Sequence, residues 1–561
     1  MFRPSEIVLV SSVTIFLIYK LWTKNKKSSK PPLPPGPPPE PIIGNFRQIP
    51  QSRAELTYME WSKQYSKYTL FISLLGAPVI ILNSAKSAMA LLDKHGAKYS
   101  DRPRMEFYAE QGWTHTLSLM SRGPTFRKHR RMFQSEFTKK NCIQYRGAQE
   151  QGATKLTTRI LENQEKWKDW IILFATTIIL DITYGIKADG PNAQMYIETA
   201  HKGSNAISNG GQPGASAVDV FPWIRKLPHW FKLIPSLEFA RKCYPDVTAM
   251  HELPFVGVKR ELAGGITKPS FVHRMLQQIQ DPKLEKSENP AEDVTEADIK
   301  GAAGALFVAA LDTTSATIVM FVLSMTLNPQ VQEKAWRELD TLVGRDRLPT
   351  LDDREKMPYL EHMLQEVYSS YLHFLLVAKT SGQDRRLISA GIPHKSSEDD
   401  VYDGMFIPKA RDLLIYHPSS LVIPNAYAMC HDTSLYYKPE DFEPDRYISA
   451  EEGGRGEPFP IGHFGFGRRV CPGRYLADNS VWIAMATMLH TLKISKKRDS
   501  EGREITPVPE ISTGITTYVT FYFLFLLGSI EGRDMEDEKR CGRKERIEDE
   551  RGILLCEGTD F

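Results

Sequence analysis

Cysteine is scarce in this chain: six residues in 561, at positions 142, 243, 430, 471, 541 and 556, widely spaced and without a C-x-x-C pair. That pattern gives neither a disulfide framework nor a zinc site, and it suits a reducing compartment. Net charge is also slight, +3 from 71 basic and 68 acidic side chains. A nucleic-acid-binding protein would show a clustered basic face, so none is expected here. No repeat, no flavin or dinucleotide motif and no convincing linker interrupts the stretch from Phe46 to Gly514. What remains, 41% hydrophobic and 25% charged, is ordinary globular composition, read as one large domain that is mainly α with small β-sheets near Leu70 to Leu82.

The N-terminus carries an apolar run from Ile7 to Trp22, followed by Lys24, Lys26, Lys27 and Lys30. A cleaved signal peptide would place its basic residues before the run and end in small residues, so residues 1–23 read better as an N-terminal transmembrane helix. The lysines behind it predict a single-pass anchor with the rest of the chain in the cytosol. Residues 24–45 are basic and then proline-rich, Pro31-Pro-Leu-Pro-Pro-Gly-Pro-Pro-Pro-Glu-Pro41. Such a segment forms no helix and reads as a stiff spacer or hinge, or as a ligand for a proline-recognising module.

Chemistry concentrates in Phe464-Gly-Phe-Gly-Arg-Arg-Val-Cys-Pro-Gly473, just before a predicted helix that opens at Arg474. Gly465, Gly467 and Gly473 permit close backbone approach to a flat ligand. Cys471 stands where a helix dipole and the charges of Arg468, Arg469 and Arg474 favour the thiolate, the form that binds a soft metal. A lone cysteine is more often a small buried hydrophobe. Here Phe464, Gly467, Arg469, Cys471 and Gly473 form F-x-x-G-x-R-x-C-x-G, which resembles the haem-binding loop of the cytochromes P-450, the haem-thiolate monooxygenases.

Other stretches share that resemblance. Ser100-Asp-Arg-Pro-Arg104 is similar to the entry to the loop roofing the family's substrate pocket. Gly123 to Arg131 is similar to the W-x-x-x-R helix, with Arg130 as the haem-propionate arginine and Phe126 in place of the tryptophan. Thr295-Glu-Ala-Asp298 forms a capping box, and the helix it opens runs without proline to Asn328-Pro329, apolar enough to cross the core. Its small residues Gly301, Ala302, Ala303, Gly304, Ala309 and Ala310 predict a groove where a flat cofactor approaches. Within it, Ala309-Ala-Leu-Asp-Thr-Thr314 resembles the oxygen-binding segment [AG]-G-x-[DE]-T-[TS], with Ala310 at the usual glycine. The resemblance implies that Asp312 and Thr313 relay protons, general-acid work for an acid and a hydroxyl. Taken alone, Thr313 would simply bond back to its own helix.

The likeness also breaks. Glu366 matches the first residue of the family's E-x-x-R pair, but Ser369 stands at the arginine. Residues 369–390 and 411–421 resemble nothing in the family, and the chain leaves it again after Thr516 for a charged tail, 516–561, expected to be disordered or fraying helix. Abrupt departures and returns of this kind read as translated introns or a faulty gene structure. Phe442-Glu-Pro-Asp-Arg446 is similar to the family's meander, so Glu366 is expected to pair with Arg446 without its helical partner. A broken buried charge pair costs about 3–5 kcal/mol.

The resemblance therefore implies a microsomal fungal haem-dependent monooxygenase with a cytochrome P-450 fold. Haem b would be held by the axial thiolate of Cys471, and Asp312 and Thr313 would be catalytic. Electrons would come from NADPH through a separate flavoprotein reductase. The expected substrate is a small, largely apolar secondary metabolite or xenobiotic, and the expected location is the endoplasmic reticulum membrane. Two alternatives stand beside it: a non-catalytic product of a defective gene, and a haem sensor or peroxide-driven isomerase of the same fold. The acid-threonine pair speaks against the last.

Overall fold

A computed structural model describes residues 30–49, 54–187, 190, 192–210, 216–281, 293–377, 391–409 and 420–507, together with the short strands 510–511, 519–520 and 530–532. The expected N-terminal transmembrane helix, most of insert 411–421 and most of the tail lie outside the described residues. So does the second half of insert 369–390.

Helices dominate, as expected from the sequence. Those that position the site are α1 (Ala54–Gln64), α2 (Pro124–Glu136), α3 (Arg146–Glu162), α4 (Trp167–Tyr184), α5 (Ala193–Ser208), α6 (Pro235–Ala263), α7 (Glu296–Leu327), α8 (Pro329–Leu342), α9 (Pro358–Val377) and α10 (Arg474–Thr491). One four-stranded sheet has the order β1 (Thr69–Leu74), β2 (Ala77–Leu82), β4 (Leu421–Pro424), β3 (His394–Lys395). β1 pairs antiparallel with β2 in the register Phe71↔Ile80, and β2 runs parallel to β4 through Ile80↔Val422. Alternate residues of these strands, Leu70 and Ile72 on one and Val79 and Ile81 on the other, are fully buried against Tyr58 of α1.

α7 is the axis of the core. The capping box is present: the Thr295 hydroxyl accepts from the Asp298 N–H, and the Asp298 carboxylate accepts from the Thr295 N–H and hydroxyl. Its C-cap is Asn328, ahead of Pro329, which cannot continue the helix hydrogen bonding. This is the one helix among the described residues long and apolar enough to cross a membrane, yet 78% of that window is buried inside the protein. α7 is thus a core helix, packed by α4, α6, α9 and α10.

The proline-rich segment is not a free-standing spacer. The Pro35 carbonyl accepts from the Phe71 N–H at 3.0 Å and the Pro32 carbonyl from the Phe406 N–H at 2.7 Å, so the segment lies docked along the domain. Gly36 allows this approach, because a Cβ there would stand 2.0 Å from the Phe71 carbonyl oxygen. The tail is corrected similarly. β5 (Leu492–Ile494) pairs antiparallel with β6 (Ile530–Gly532), so part of the stretch expected to be disordered or helical is β-strand in the domain.

Candidate active site

Cys471 sits two residues before Gly473, the N-cap of α10, and the Gly473 N–H reaches its sulfur. α10 opens at Arg474, as the sequence predicts. The Cys471 N–H donates to the Phe464 carbonyl at 2.8 Å, closing the loop on itself. Burial pushes the thiol pKa up, opposed by the Gly473 N–H and by the charges of Arg130 and Arg474. The thiolate expected from the sequence is therefore held down by burial until a cation meets the sulfur.

Gly467 serves a purpose other than the expected one. It has φ of 51°, and a Cβ there would lie 2.1 Å from the Leu92 carbonyl oxygen, so its bare face meets the main chain rather than a ligand. Gly465 is also left-handed, but a Cβ would meet the Arg469 carbonyl at an ordinary 3.6 Å. Gly467→Ala combines backbone strain with overlap and is expected to cost at least about 2 kcal/mol. Gly465→Ala should cost less than Gly467→Ala, and urea unfolding of both variants checks the order. Gly473, by contrast, has no atom within 4 Å of a Cβ position, leaving the loop open at the helix start.

A buried cationic cluster surrounds the loop. Arg130 donates to the Val470 carbonyl at 2.6 Å. Arg469 donates to the carbonyls of Ser100 (2.6 Å) and Leu117 (3.3 Å), while its Nη2 has no partner among the described residues. The Phe126 ring, in the tryptophan position, lies 3.7 Å from the Arg469 guanidinium carbon, so it supplies a π face where an N–H was missed. Burial pulls the Arg469 pKa down to about 10, with Arg130 adding repulsion and Asp101 opposing. Arg102 is buried too, its guanidinium donating to the carbonyls of Ser118, Ile392 and Pro393. Burial and then the Arg469 charge depress it. His394 is likewise depressed by burial and by Arg102 and Arg469. Two buried guanidiniums, Arg102 and Arg469, with half-buried Arg130 beside them, are bonded largely to carbonyls and form a site for an anion, and an anion there would favour the protonated form of His394. Sequence reasoning assigned Arg130 and Arg469 but missed Arg102, placed there with a different role, and His394, which no motif marks.

On α7, nearly every residue from Gly301 to Thr326 is buried, but Ala309 and Thr313 are exposed and Leu306 and Ala310 partly so. Spacings of three, four and seven place these four on one face, so that face borders open space within the fold. Gly301 and Gly304 are not part of it. A Cβ at Gly301 would fall 2.3 Å from His115 Cβ, and one at Gly304 would fall 2.2 Å from His251 Cδ2. The predicted small-residue groove is therefore filled by two histidine side chains in its first part, and its open part is at Ala309 and Ala310.

Asp312 and Thr313 are adjacent but face apart. The Thr313 hydroxyl donates to the Ala309 carbonyl at 2.8 Å on the open face. Asp312, 1% exposed, accepts from the Ser204 hydroxyl of α5 at 2.5 Å and from Ser208 at 3.4 Å. The sequence motif is present, yet its two side chains are not brought together.

The Glu366 region overturns the expected deficit. Glu366 accepts from the Glu443 N–H (2.9 Å), Arg446 Nε (3.1 Å) and the Tyr447 hydroxyl (2.6 Å). Arg446, 2% exposed, also donates to Glu457 at 2.9 Å and to the carbonyls of Tyr437, Lys438 and Asp441. Burial raises the Glu366 pKa against the pull of Arg446. Ser369, where an arginine was sought, is hydrogen-bonded to the Cys430 thiol, whose pKa burial pushes up to about 12. α9 continues as helix to Val377, and its Tyr368 stacks on His463 at 4.5 Å and meets Phe464 edge-on at 5.5 Å. The Glu366 side chain thus retains three donors, and the helix bearing it braces the Cys471 loop.

Comparison with known proteins gives the same picture. The family model described as Cytochrome P450 matches residues 34–374 and 385–519, so the defective-gene reading gains no support. The chain is 35% identical to "Cytochrome P450 monooxygenase claR" of Ampulloclitocybe clavipes, over 85% of this chain and 83% of that protein. It is 33% identical to "Cytochrome P450 monooxygenase 136" of Postia placenta, over 93% of each. It is also 31% identical to "Tryptamine 4-monooxygenase" of Psilocybe cyanescens, over 91% of this chain and 95% of that one.

Proposed function

Since the chain belongs to the cytochrome P450 family and is a monooxygenase of fungal type, we propose that it inserts one oxygen atom of O2 into a small, largely apolar organic substrate of secondary metabolism. The observation that carries this reading is Cys471, half-buried just ahead of α10 with the Gly473 N–H on its sulfur and Arg130 and Arg474 beside it. The residues fit haem b. The sulfur would take the iron, and Arg130, Arg469 with its unpartnered Nη2, Arg102 and His394 would hold the carboxylates. The face of Ala309 and Thr313 leaves room for a flat ring. When bound, a haem with a thiolate ligand supplies oxygen activation, because the thiolate pushes electron density that favours O–O cleavage.

This chain's own residues then have distinct tasks. Arg130 and Arg474 stabilise negative charge on Cys471. Thr313 offers a hydroxyl on the open face, and Asp312 supplies the acid next to it on the helix. Leu306, Ala309 and Ala310 present only apolar surface there, which supports an apolar substrate.

Electrons reach the site from NADPH through a separate flavoprotein reductase; the absence of any dinucleotide motif supports this. Membrane attachment through residues 1–23, at the endoplasmic reticulum with the domain cytosolic, is supported by the apolar run and its trailing lysines. Exposed Trp223, Trp230 and Leu233 add apolar surface suited to lying on lipid.

The test is the purified chain reduced with dithionite under carbon monoxide. A Soret band at the thiolate-ligated position is the expected result. A band at the position typical of histidine ligation, or haem that does not bind at all, would sink the proposal.

A further inference from the structure

Ser204 and Ser208 stand four apart on α5, one helical turn, so both hydroxyls face the same neighbour. That neighbour is Asp312. Ser204 donates to Oδ1 at 2.5 Å and Ser208 to Oδ2 at 3.4 Å, so each carboxylate oxygen is engaged by α5. All three side chains are 1% exposed.

On a helix, successive residues point about 100° apart. Thr313 occupies the open face and Asp312 the α5 face, so the acid next to Thr313 on the helix is turned away from the open face. For the carboxylate to take up a proton from water and pass it to the Thr313 side, it must leave the two serines. The 2.5 Å contact is within the range of a charge-assisted hydrogen bond, the stronger class.

Resting on the monooxygenase reading above, we propose that Ser204, assisted by Ser208, is a positioning residue that holds Asp312 in a withdrawn orientation and so controls when the acid can serve the cavity. Neither serine belongs to a recognised motif. α5 is itself tied to the segment beneath it, with Gln111 Nε2 donating to the Ala206 carbonyl at 3.2 Å. A shift of α5 would accordingly move the clamp.

The experiment needs neither the native substrate nor a reductase. Haem-loaded wild type, Ser204→Ala, Ser204→Thr and Asp312→Asn are reduced with dithionite and mixed with air. Return to the oxidised spectrum is then timed in H2O and in D2O. In wild type the return should be slower in D2O. Ser204→Ala removes the shorter of the two serine contacts, so the return should quicken about tenfold, as loss of one hydrogen bond to a charged group implies, with the isotope effect falling toward one. Ser204→Thr, which keeps a hydroxyl, should restore the wild-type values. A second readout is independent of turnover. The carboxyl infrared band that Asp312→Asn removes should shift in Ser204→Ala and recover in Ser204→Thr.

A return rate and isotope effect unchanged by Ser204→Ala would overturn the inference, whether or not the infrared band moves. An altered fold is recognised separately, because every variant should keep the carbon monoxide band of wild type. Absence of the thiolate band in wild type would overturn the functional reading and this inference with it. A normal band with an unchanged isotope effect would overturn this inference alone.

Discussion

Cys471→Ser should yield a folded chain with no thiolate-type carbon monoxide band and with turnover reduced on the order of a thousandfold or more. The loop does not depend on the sulfur for its shape. Its backbone is fixed by the Cys471 N–H to Phe464 bond, by Arg130 on the Val470 carbonyl and by Gly467 pressed under Leu92. Serine fits the same space but offers a hydroxyl, which ionises far less readily than a thiol and supplies no comparable electron push. Circular dichroism should therefore match wild type while the Soret band moves. A serine variant that keeps the thiolate band would place the ligand on another cysteine. Among the described residues Cys142 and Cys430 are buried, and burial raises both thiols. A second source of thiolate would contradict that chemistry.

Glu366→Ala is expected to lower stability by about 3–5 kcal/mol, a large share of the roughly 5–15 kcal/mol that holds a domain together. Three donors converge on the carboxylate: the Glu443 N–H, Arg446 Nε and the Tyr447 hydroxyl. Its removal leaves all three short of an acceptor in a place where Glu366 itself is 2% exposed. Arg446 keeps Glu457, which Arg446 and Arg455 hold below the usual carboxylate range despite its burial. The loss should therefore be heavy rather than total, measurable as an earlier midpoint in urea for both helicity and haem release.

The informative companion is Ser369→Arg. If the chain lacked a needed arginine, the variant would be more stable. Because the Glu366 oxygens already have their donors and Ser369 is 9% exposed beside Cys430, the added charge should instead destabilise. A gain in stability would show that the network is incomplete.

Much of this was readable from the chain. The capping box at Thr295 and the proline after Asn328 mark both ends of α7, because caps and proline act through nearest neighbours. Leu70 to Leu82 is legible as strand for a similar reason, two short apolar runs with β-branched residues on either side of Gly76. Cys471 is legible because its loop resembles the haem-binding loop of the family, and the thiol chemistry agrees with the role that the resemblance implies.

What escaped was long-range. Tyr447 compensates for Ser369 from a residue 78 positions away in the chain, and no local pattern announces it. Phe126 looks like a lost donor until Arg469 is seen against its ring. The glycines misled because a missing Cβ says that something comes close, not what does. At Gly467 it is a carbonyl, and at Gly301 and Gly304 it is histidine. Asp312 beside Thr313 suggests partnership in one dimension, whereas the helix turns them toward different neighbours.

The histidines seated against Gly301 and Gly304 have a mechanical consequence. Each ring fits only because the opposing residue lacks a side chain, so the two contacts act like teeth of a key that admit α7 at a single depth. His251 is itself fixed, with its Nδ1 on the Val247 carbonyl at 2.8 Å. Thr313 lies nine residues beyond Gly304, about 14 Å along the axis at 1.5 Å per residue. The position of that hydroxyl along the helix axis is therefore gauged about two and a half turns away, where the two rings seat. Enlarging either glycine should misplace chemistry it never touches.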